Sequence, residues 1–224
     1  MKKHKNIKEW FVVNKQRIIL PLLALFWNEI AYYGARILSA GRYHYDMTTA
    51  LDNSIPIIPW TITIYWGCFL FWAAVFTYVS SLPLKNACRL IFAHFLGIFI
   101  CFVTFLILPT TNVRPNLQEN DIWSFCMRLL YAVDAPDNLF PSIHCFSSWL
   151  CWVAVRREKS CPWWVRWGTL LFAAAICIST MTTKQHVFAD VIAGILIAEV
   201  IYPAASVPAL LDKYVGIIKK LFKL

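Results

Sequence analysis

Charge is scarce in this chain, at 15% of residues against about 25% in soluble domains. Only 12 of its 224 residues are Asp or Glu, and four stretches, 53–84, 90–113, 138–155 and 167–183, hold no Asp, Glu, Lys or Arg at all. A soluble fold does not offer such runs to water, whereas a helix that crosses a bilayer needs about 17–25 residues of this kind. Two further apolar spans are each interrupted by a single acid, Glu29 and Glu199. The eight cysteines, at 68, 88, 101, 126, 145, 151, 161 and 177, form no CxxC pair. That argues against both a metal ribbon and a disulfide framework. No internal repeat, low-complexity segment or separate soluble domain stands out. The basic N-terminus leads into a long apolar run without a small-residue cleavage site, so a retained first span is expected rather than a signal peptide.

What fills the chain is apolar. Hydrophobic residues make up 59% and the mean hydropathy is +0.58, against roughly 45–50% apolar in soluble domains. The expected fold is all-α: a polytopic membrane protein, a six-transmembrane-helix bundle with spans at roughly 18–40, 58–80, 88–109, 141–156, 165–183 and 187–209, forming one membrane-embedded domain over 1–224. A net charge of +9 would in a soluble protein suggest nucleic acid, but its placement says otherwise. Lysines and arginines in "MKKHKNIK", at Lys15, Arg17, Lys85, Arg89 and Arg166, in "RREK", and at Lys213, Lys219, Lys220 and Lys223 fall on one side of the six spans. Arg36, Arg42, Arg114, Arg128 and Lys184 fall on the other. The positive-inside rule then makes both termini cytoplasmic and puts the polar stretches 41–55 and 110–137 outside. The expected partners are membrane lipids, whose anionic headgroups attract the basic side, and not nucleic acid. Within the second polar stretch, Ile122, Phe125, Leu129 and Val133 recur at helical spacing. They read either as a helix lying in the membrane interface, with Trp123 and Tyr131 at headgroup level, or as a loop helix packed on the bundle.

Three polar clusters converge on the outer side: "VRP" after the third span, "PSIH" at the head of the fourth, and "TTKQH" between the fifth and sixth. His186 and Asp190 are four apart and stack on one helix face. A carboxylate there accepts the proton of one ring nitrogen and leaves the other as a nucleophile. The same pair also serves as a plain helix-start cap. A second imidazole, His144, can protonate a leaving oxygen and later activate water, or simply sit at the interface. Ser142 follows a proline at a helix start, a natural N-cap where backbone amides attract anions. Lys184 and Arg114 add cations with several N–H donors, suited to phosphate oxygens, or act as interfacial anchors.

"PSIH" followed by "S-T-x5-H-x3-D" resembles the last two signature motifs of the type 2 phosphatidic acid phosphatase superfamily, and Arg114-Pro115 looks like the end of its first. The resemblance covers about residues 88–210. It implies a metal-independent mechanism without a cofactor, in which His186 attacks phosphorus, Asp190 orients it, His144 protonates the departing oxygen, and a phosphohistidine is then hydrolysed. Arg114, Ser142, Ser179 and Lys184 would hold the phosphate oxygens of a lipid phosphate. Two departures stand out. Ile107 occupies the place of the first motif's lysine, and Thr180 that of the last motif's arginine. Lys184 is expected to make up part of the missing charge by reaching back to the pocket. The pattern is similar to the branch near inositol phosphorylceramide and sphingomyelin synthases, which move a phosphorylated headgroup between lipids.

Three functions therefore compete: a lipid phosphate phosphatase at the outer face of the plasma membrane, a phosphoheadgroup transferase of the same architecture, and a non-catalytic transporter or structural protein. A transporter of repeated halves would show broken helices at the midplane, and the polar residues here gather at one surface. Glu29 and Glu199 are read as structural, His94 as interfacial near the cytoplasmic end of the third span, and His44 as an outer-loop residue without a partner.

Overall fold

The computed structural model describes residues 7–224, with side chains from residue 14 onward. Lys2, Lys3 and Lys5 of the N-terminal basic cluster lie outside the described residues, and Lys8 is described in its backbone alone. Nine helices follow one another among the described residues: α1 Ile7–Leu38, α2 Ala50–Ser54, α3 Ile62–Val79 preceded by a 3-10 turn at Pro59–Thr61, α4 Leu84–Ile107, α5 Ile122–Val133, α6 Ile143–Arg156, α7 Trp163–Thr182, α8 Phe188–Ala204 and α9 Pro208–Phe222. Two two-residue strands, β1 Tyr45–Asp46 and β2 Thr110–Thr111, pair in parallel and clip the two polar stretches together.

The helix starts are chemically explained. Pro83 and Pro162 precede α4 and α7, and Pro208 opens α9, positions where a missing N–H costs nothing. Asp121 caps α5 by accepting from the amides of Trp123 and Ser124, and Ser142 caps α6 by accepting from Cys145 N.

Four helical segments, Asn14–Leu38, Pro59–Val79, Leu84–Ile107 and Trp163–Thr182, are long and apolar enough to cross a membrane. The pair α8 and α9 counts as a fifth only if it is one broken span, bent by 87°. The six expected segments are thus all helical, but they are not six equal spans. The fourth, α6, has 14 residues, about 21 Å at 1.5 Å per residue, short of the roughly 30 Å hydrocarbon core. It is short because a capped polar turn begins it and Arg156–Arg157 end it. It is also the most enclosed helix: Cys145, Phe146, Ser147, Ser148, Leu150, Cys151, Val153, Ala154 and Val155 are buried, and it packs against α3, α4, α7 and α8. The expected last span, 187–209, stops at Ala204, and the chain turns into an unforeseen α9.

Two glycines set the spacing around α6. At Gly97 of α4 a Cβ would stand 2.0 Å from the Phe146 ring, and at Gly194 of α8 one would meet the Ser142 carbonyl oxygen at 2.6 Å. On α1, the small residues Ala24, Ala31 and Ala35 are buried in the core beside Leu20, and α1 packs along α4. One end of the bundle gathers Gln16, which donates to Ser80 O and Leu82 O, the Lys85–Asp212 ion pair, and the Asn86–Glu158 contact. "VRP", "PSIH" and "TTKQH" lie at the other end.

Glu199 does what was expected of a structural acid: it accepts from Trp149 Nε1 at 2.9 Å and pairs with Arg156. His94 corrects the interfacial reading. It is 4% exposed, with Nε2 3.5 Å from Ser147 Oγ and rings of Phe76 and Phe146 beside it. Because α4 begins at Leu84, residue 94 stands about 15 Å into the bundle. His44 does have a partner, the Arg42 carbonyl, 2.9 Å from Nδ1. On α5 the residues at helical spacing, Ile122, Phe125, Leu129 and Val133, face outward, while Ser124, Met127 and Leu130 are buried. The helix therefore has both a packed face and an uncovered apolar stripe.

Candidate active site

The turn between α7 and α8 is the frame of the site. The amides of Gln185 and His186 both donate to Thr180 O, at 2.9 and 3.1 Å, and Lys184 takes a positive φ of 53° to make the reversal. The start of α8 is held from two sides: Val187 N donates to Asp190 Oδ2 at 3.1 Å, and Phe188 N donates to Asp52 Oδ1 at 2.6 Å. The α6 start is tied to the same helix by Ser142 N, which donates to Asp190 O at 3.1 Å.

On this frame His186 Nδ1 stands 3.2 Å from Asp190 Oδ2. Burial by itself would lower the His186 pKa, but the hydrogen bond and charge of Asp190 outweigh it, so the ring holds its proton more tightly than a free imidazole. Asp190 is fully buried and its Oδ1 has no protein partner. The Nδ1 bond leaves Nε2 as the uncommitted ring nitrogen of His186.

His144, half-buried, faces this ring with centroids 5.8 Å apart. Its other walls are aromatic: Tyr65 at 4.7 Å, Trp72 at 5.6 Å and Phe69 at 6.3 Å. Both histidines line one cavity of about 320 Å³. A larger apolar cavity of about 690 Å³ between α1 and α3 adjoins it, sharing Asn28, Phe69 and Trp72.

The other expected site residues divide. Ser142 is at the α6 cap as foreseen, its Oγ accepting from Cys145 N at 3.2 Å. Arg114 reaches the site indirectly. Its guanidinium donates to Asp134 O and to Gln185 Oε1, the latter at 2.7 Å, and lies over the Tyr131 ring at 4.9 Å. Lys184 does not reach back into the pocket. Its Nζ donates to the carbonyls of Asp52 and Ile55, both at 2.7 Å, because the chain at the end of α2 leaves those carbonyls without helical partners. Burial lowers its pKa, partly countered by the Asp52 carboxylate. Lys184 lines a third cavity, of about 670 Å³, which His186 also borders. Ser179 is fully buried with its hydroxyl donating to Ile176 O at 2.8 Å, and it lines neither histidine cavity.

Several residues escaped the sequence reading. Glu29, read as structural, lines the histidine cavity and accepts from Asn28. Asp134 and Asp137 join it there, the first accepting from Tyr32 Oη at 2.6 Å and the second paired with Arg36 at 3.1 Å. Burial raises the Asp137 pKa, with Arg36 working against it. Asp52, the remote cap of α8, and Gln185, beside the nucleophile candidate, were also missed. No motif spacing connects residues 136 apart, and a lone glutamine in "TTKQH" carries no pattern of its own.

A family model described as the PAP2 superfamily matches residues 56–204. No curated protein and no solved structure matches the chain.

Proposed function

The chain belongs to the PAP2 superfamily, and on that premise we propose that it hydrolyses a lipid phosphate through a phosphohistidine intermediate. The observation that carries this reading is the Asp190–His186–His144 line: a buried carboxylate 3.2 Å from Nδ1, and a second imidazole ring 5.8 Å beyond in the same cavity. His186 Nε2 attacks phosphorus as the bond to the lipid oxygen breaks, and His144 gives its proton to that oxygen. Water then attacks the phosphohistidine, His144 takes the water's proton, and the P–N bond breaks to release phosphate. Asp190 holds the ring orientation and offsets the positive charge that forms on it. Each step uses only side-chain donors and water.

The apolar cavity that adjoins the site supports a lipid substrate, since it offers acyl chains a place beside the reacting phosphate. The basic end of the bundle lies opposite the histidines, which favours a site at the extracytoplasmic face of the plasma membrane with cytoplasmic termini.

A phosphoheadgroup transferase is the second reading, and one observation favours it. The histidine cavity carries the acids Glu29, Asp134 and Asp137 against a single Arg36, a lining better suited to a singly charged phosphodiester than to a dianionic monoester.

Purified protein incubated with phosphatidate or a phosphodiester lipid, with and without a lipid alcohol, separates these readings. Free phosphate independent of the alcohol is expected of the phosphatase, and alcohol-dependent headgroup labelling of the transferase. His186→Ala is expected to abolish either. Turnover surviving that change would remove His186 as the nucleophile.

A further inference from the structure

We infer that Gln185 holds a phosphoryl oxygen of the substrate through its Nε2 amide, and that Arg114 is the positioning residue that sets the amide's orientation. The inference rests on the histidine–phosphoryl reading above and deepens it.

Gln185 is 1% exposed and lines the cavity that holds His144 and His186. Its backbone is fixed by the bond to Thr180 O that opens the turn. Its side-chain oxygen is committed, accepting from Arg114 Nη2 at 2.7 Å. An arginine only donates, so this bond decides which end of the amide is oxygen and leaves Nε2 at the other end. Nε2 is buried and has no protein partner. Buried polar groups are nearly always paired, so an empty buried donor on a residue of the cavity wall calls for an explanation, and a ligand oxygen supplies one.

Two of the four residues expected to hold the phosphate are committed elsewhere. Lys184 Nζ bonds two carbonyls, and the Ser179 hydroxyl bonds Ile176 O. At the positions where cations were expected, Ile107 is 73% exposed and apolar, and the Thr180 hydroxyl bonds Cys177 O. Arg114 stands behind Gln185, with Nη1 on Asp134 O and Nη2 on the amide, while its buried Nε has no protein partner. The amide is thus interposed between the guanidinium and the cavity. A charge-assisted bond at Oε1 polarises the amide and strengthens Nε2–H as a donor. The site gains a directed donor beside His186 without a second full charge next to a nucleophile that must be neutral to attack.

The test is binding of orthovanadate to the detergent-solubilised full chain by isothermal titration calorimetry, a readout that needs no turnover. Gln185→Glu keeps the shape and the oxygen for Arg114 but replaces the donor by an anionic oxygen. It is expected to weaken the dissociation constant at least tenfold with the unfolding temperature little changed. Gln185→Met, which has no donor and no charge, is expected to weaken it severalfold and stands in if the first variant does not fold. Arg114→Lys should weaken binding in the wild-type chain and add nothing in the Gln185→Met chain. Binding within twofold of wild type in both Gln185 variants overturns the inference, as does a wild-type chain that binds no orthovanadate. Additive losses overturn the positioning role of Arg114. Phosphatidate turnover is measured in parallel: vanadate binding that depends on Gln185 without turnover defeats the hydrolytic reading alone, and turnover with binding indifferent to residue 185 defeats this inference alone.

Discussion

Gly194 on α8 and Ser142 at the head of α6 meet backbone to backbone: a Cβ at 194 would lie 2.6 Å from the Ser142 carbonyl oxygen and 2.9 Å from Phe146 N. The contact sets the distance between the helix that carries His144 and the one that carries Asp190. Neither atom it would strike can rotate away, since both belong to the first turn of α6.

Gly194→Ala is therefore expected to push the two helices apart and to lower turnover at least tenfold. The overpacking costs about 1–3 kcal/mol, read as a lowered unfolding temperature. Gly168→Ala is the control. A Cβ there meets nothing within 4 Å, so the exchange should leave turnover unchanged and slightly favour the helix.

Glu199 joins α8 to α6 through Trp149 and Arg156 at a point removed from the histidines. Glu199→Gln keeps an acceptor for the indole and removes the charge that Arg156 faces. Both side chains are about a third exposed, at 31% and 27%, so the expected loss is about 1 kcal/mol. Thermal unfolding should shift downward while kcat and KM stay within twofold. A large fall in kcat at unchanged stability would assign Glu199 to the chemistry.

Lys184 and Asp52 bind the α2 segment to the α7–α8 turn by three bonds, Lys184 Nζ to two carbonyls and Phe188 N to the Asp52 carboxylate. Burial works to raise the Asp52 pKa, but the bonds from the Thr49 hydroxyl, Phe188 N and Thr49 N hold it below the usual value. Lys184→Met should thus loosen the loop 50–58, seen as faster amide exchange there, and leave orthovanadate affinity within about threefold. A loss of affinity tenfold or more without faster exchange would return Lys184 to the phosphate pocket.

How much of this was legible in the sequence depends on the range of the interaction. The all-α character, the helical segments and the grouping of His144, His186 and Asp190 at one end of the bundle follow from charge-free runs and from a four-residue spacing, both local. The length of α6 was not legible as a span because hydropathy cannot tell a helix wrapped by protein from one wrapped by lipid. His94 was misplaced for a related reason: its helix begins earlier than its hydropathy does. Arg114 was found by its motif but its partner Gln185, 71 residues away, was not, and Lys184 was assigned the right loop and the wrong acceptor. Short-range chemistry reads from a string, whereas the direction a long side chain takes is settled by carbonyls that only the fold delivers.

The pH dependence follows from His186. Its pKa is raised because the Asp190 hydrogen bond and charge outweigh burial, and attack by Nε2 requires the neutral ring. Turnover should therefore be lost on the acid side as the pH falls through that raised pKa, at a higher pH than the usual imidazole value of about 6.5 would give. Asp190→Asn keeps a side-chain oxygen near Nδ1 and removes the charge, so burial is left to act largely alone and the His186 pKa should fall. The acid limb of kcat/KM then moves to lower pH, while the plateau drops by about 10²–10⁴-fold because the cationic ring formed during attack has lost its counter-charge. A pH–rate profile of both proteins, with the His186 ring followed by NMR titration, checks the two effects separately. An acid limb that stays in place in Asp190→Asn would mean that the titrating group is not His186.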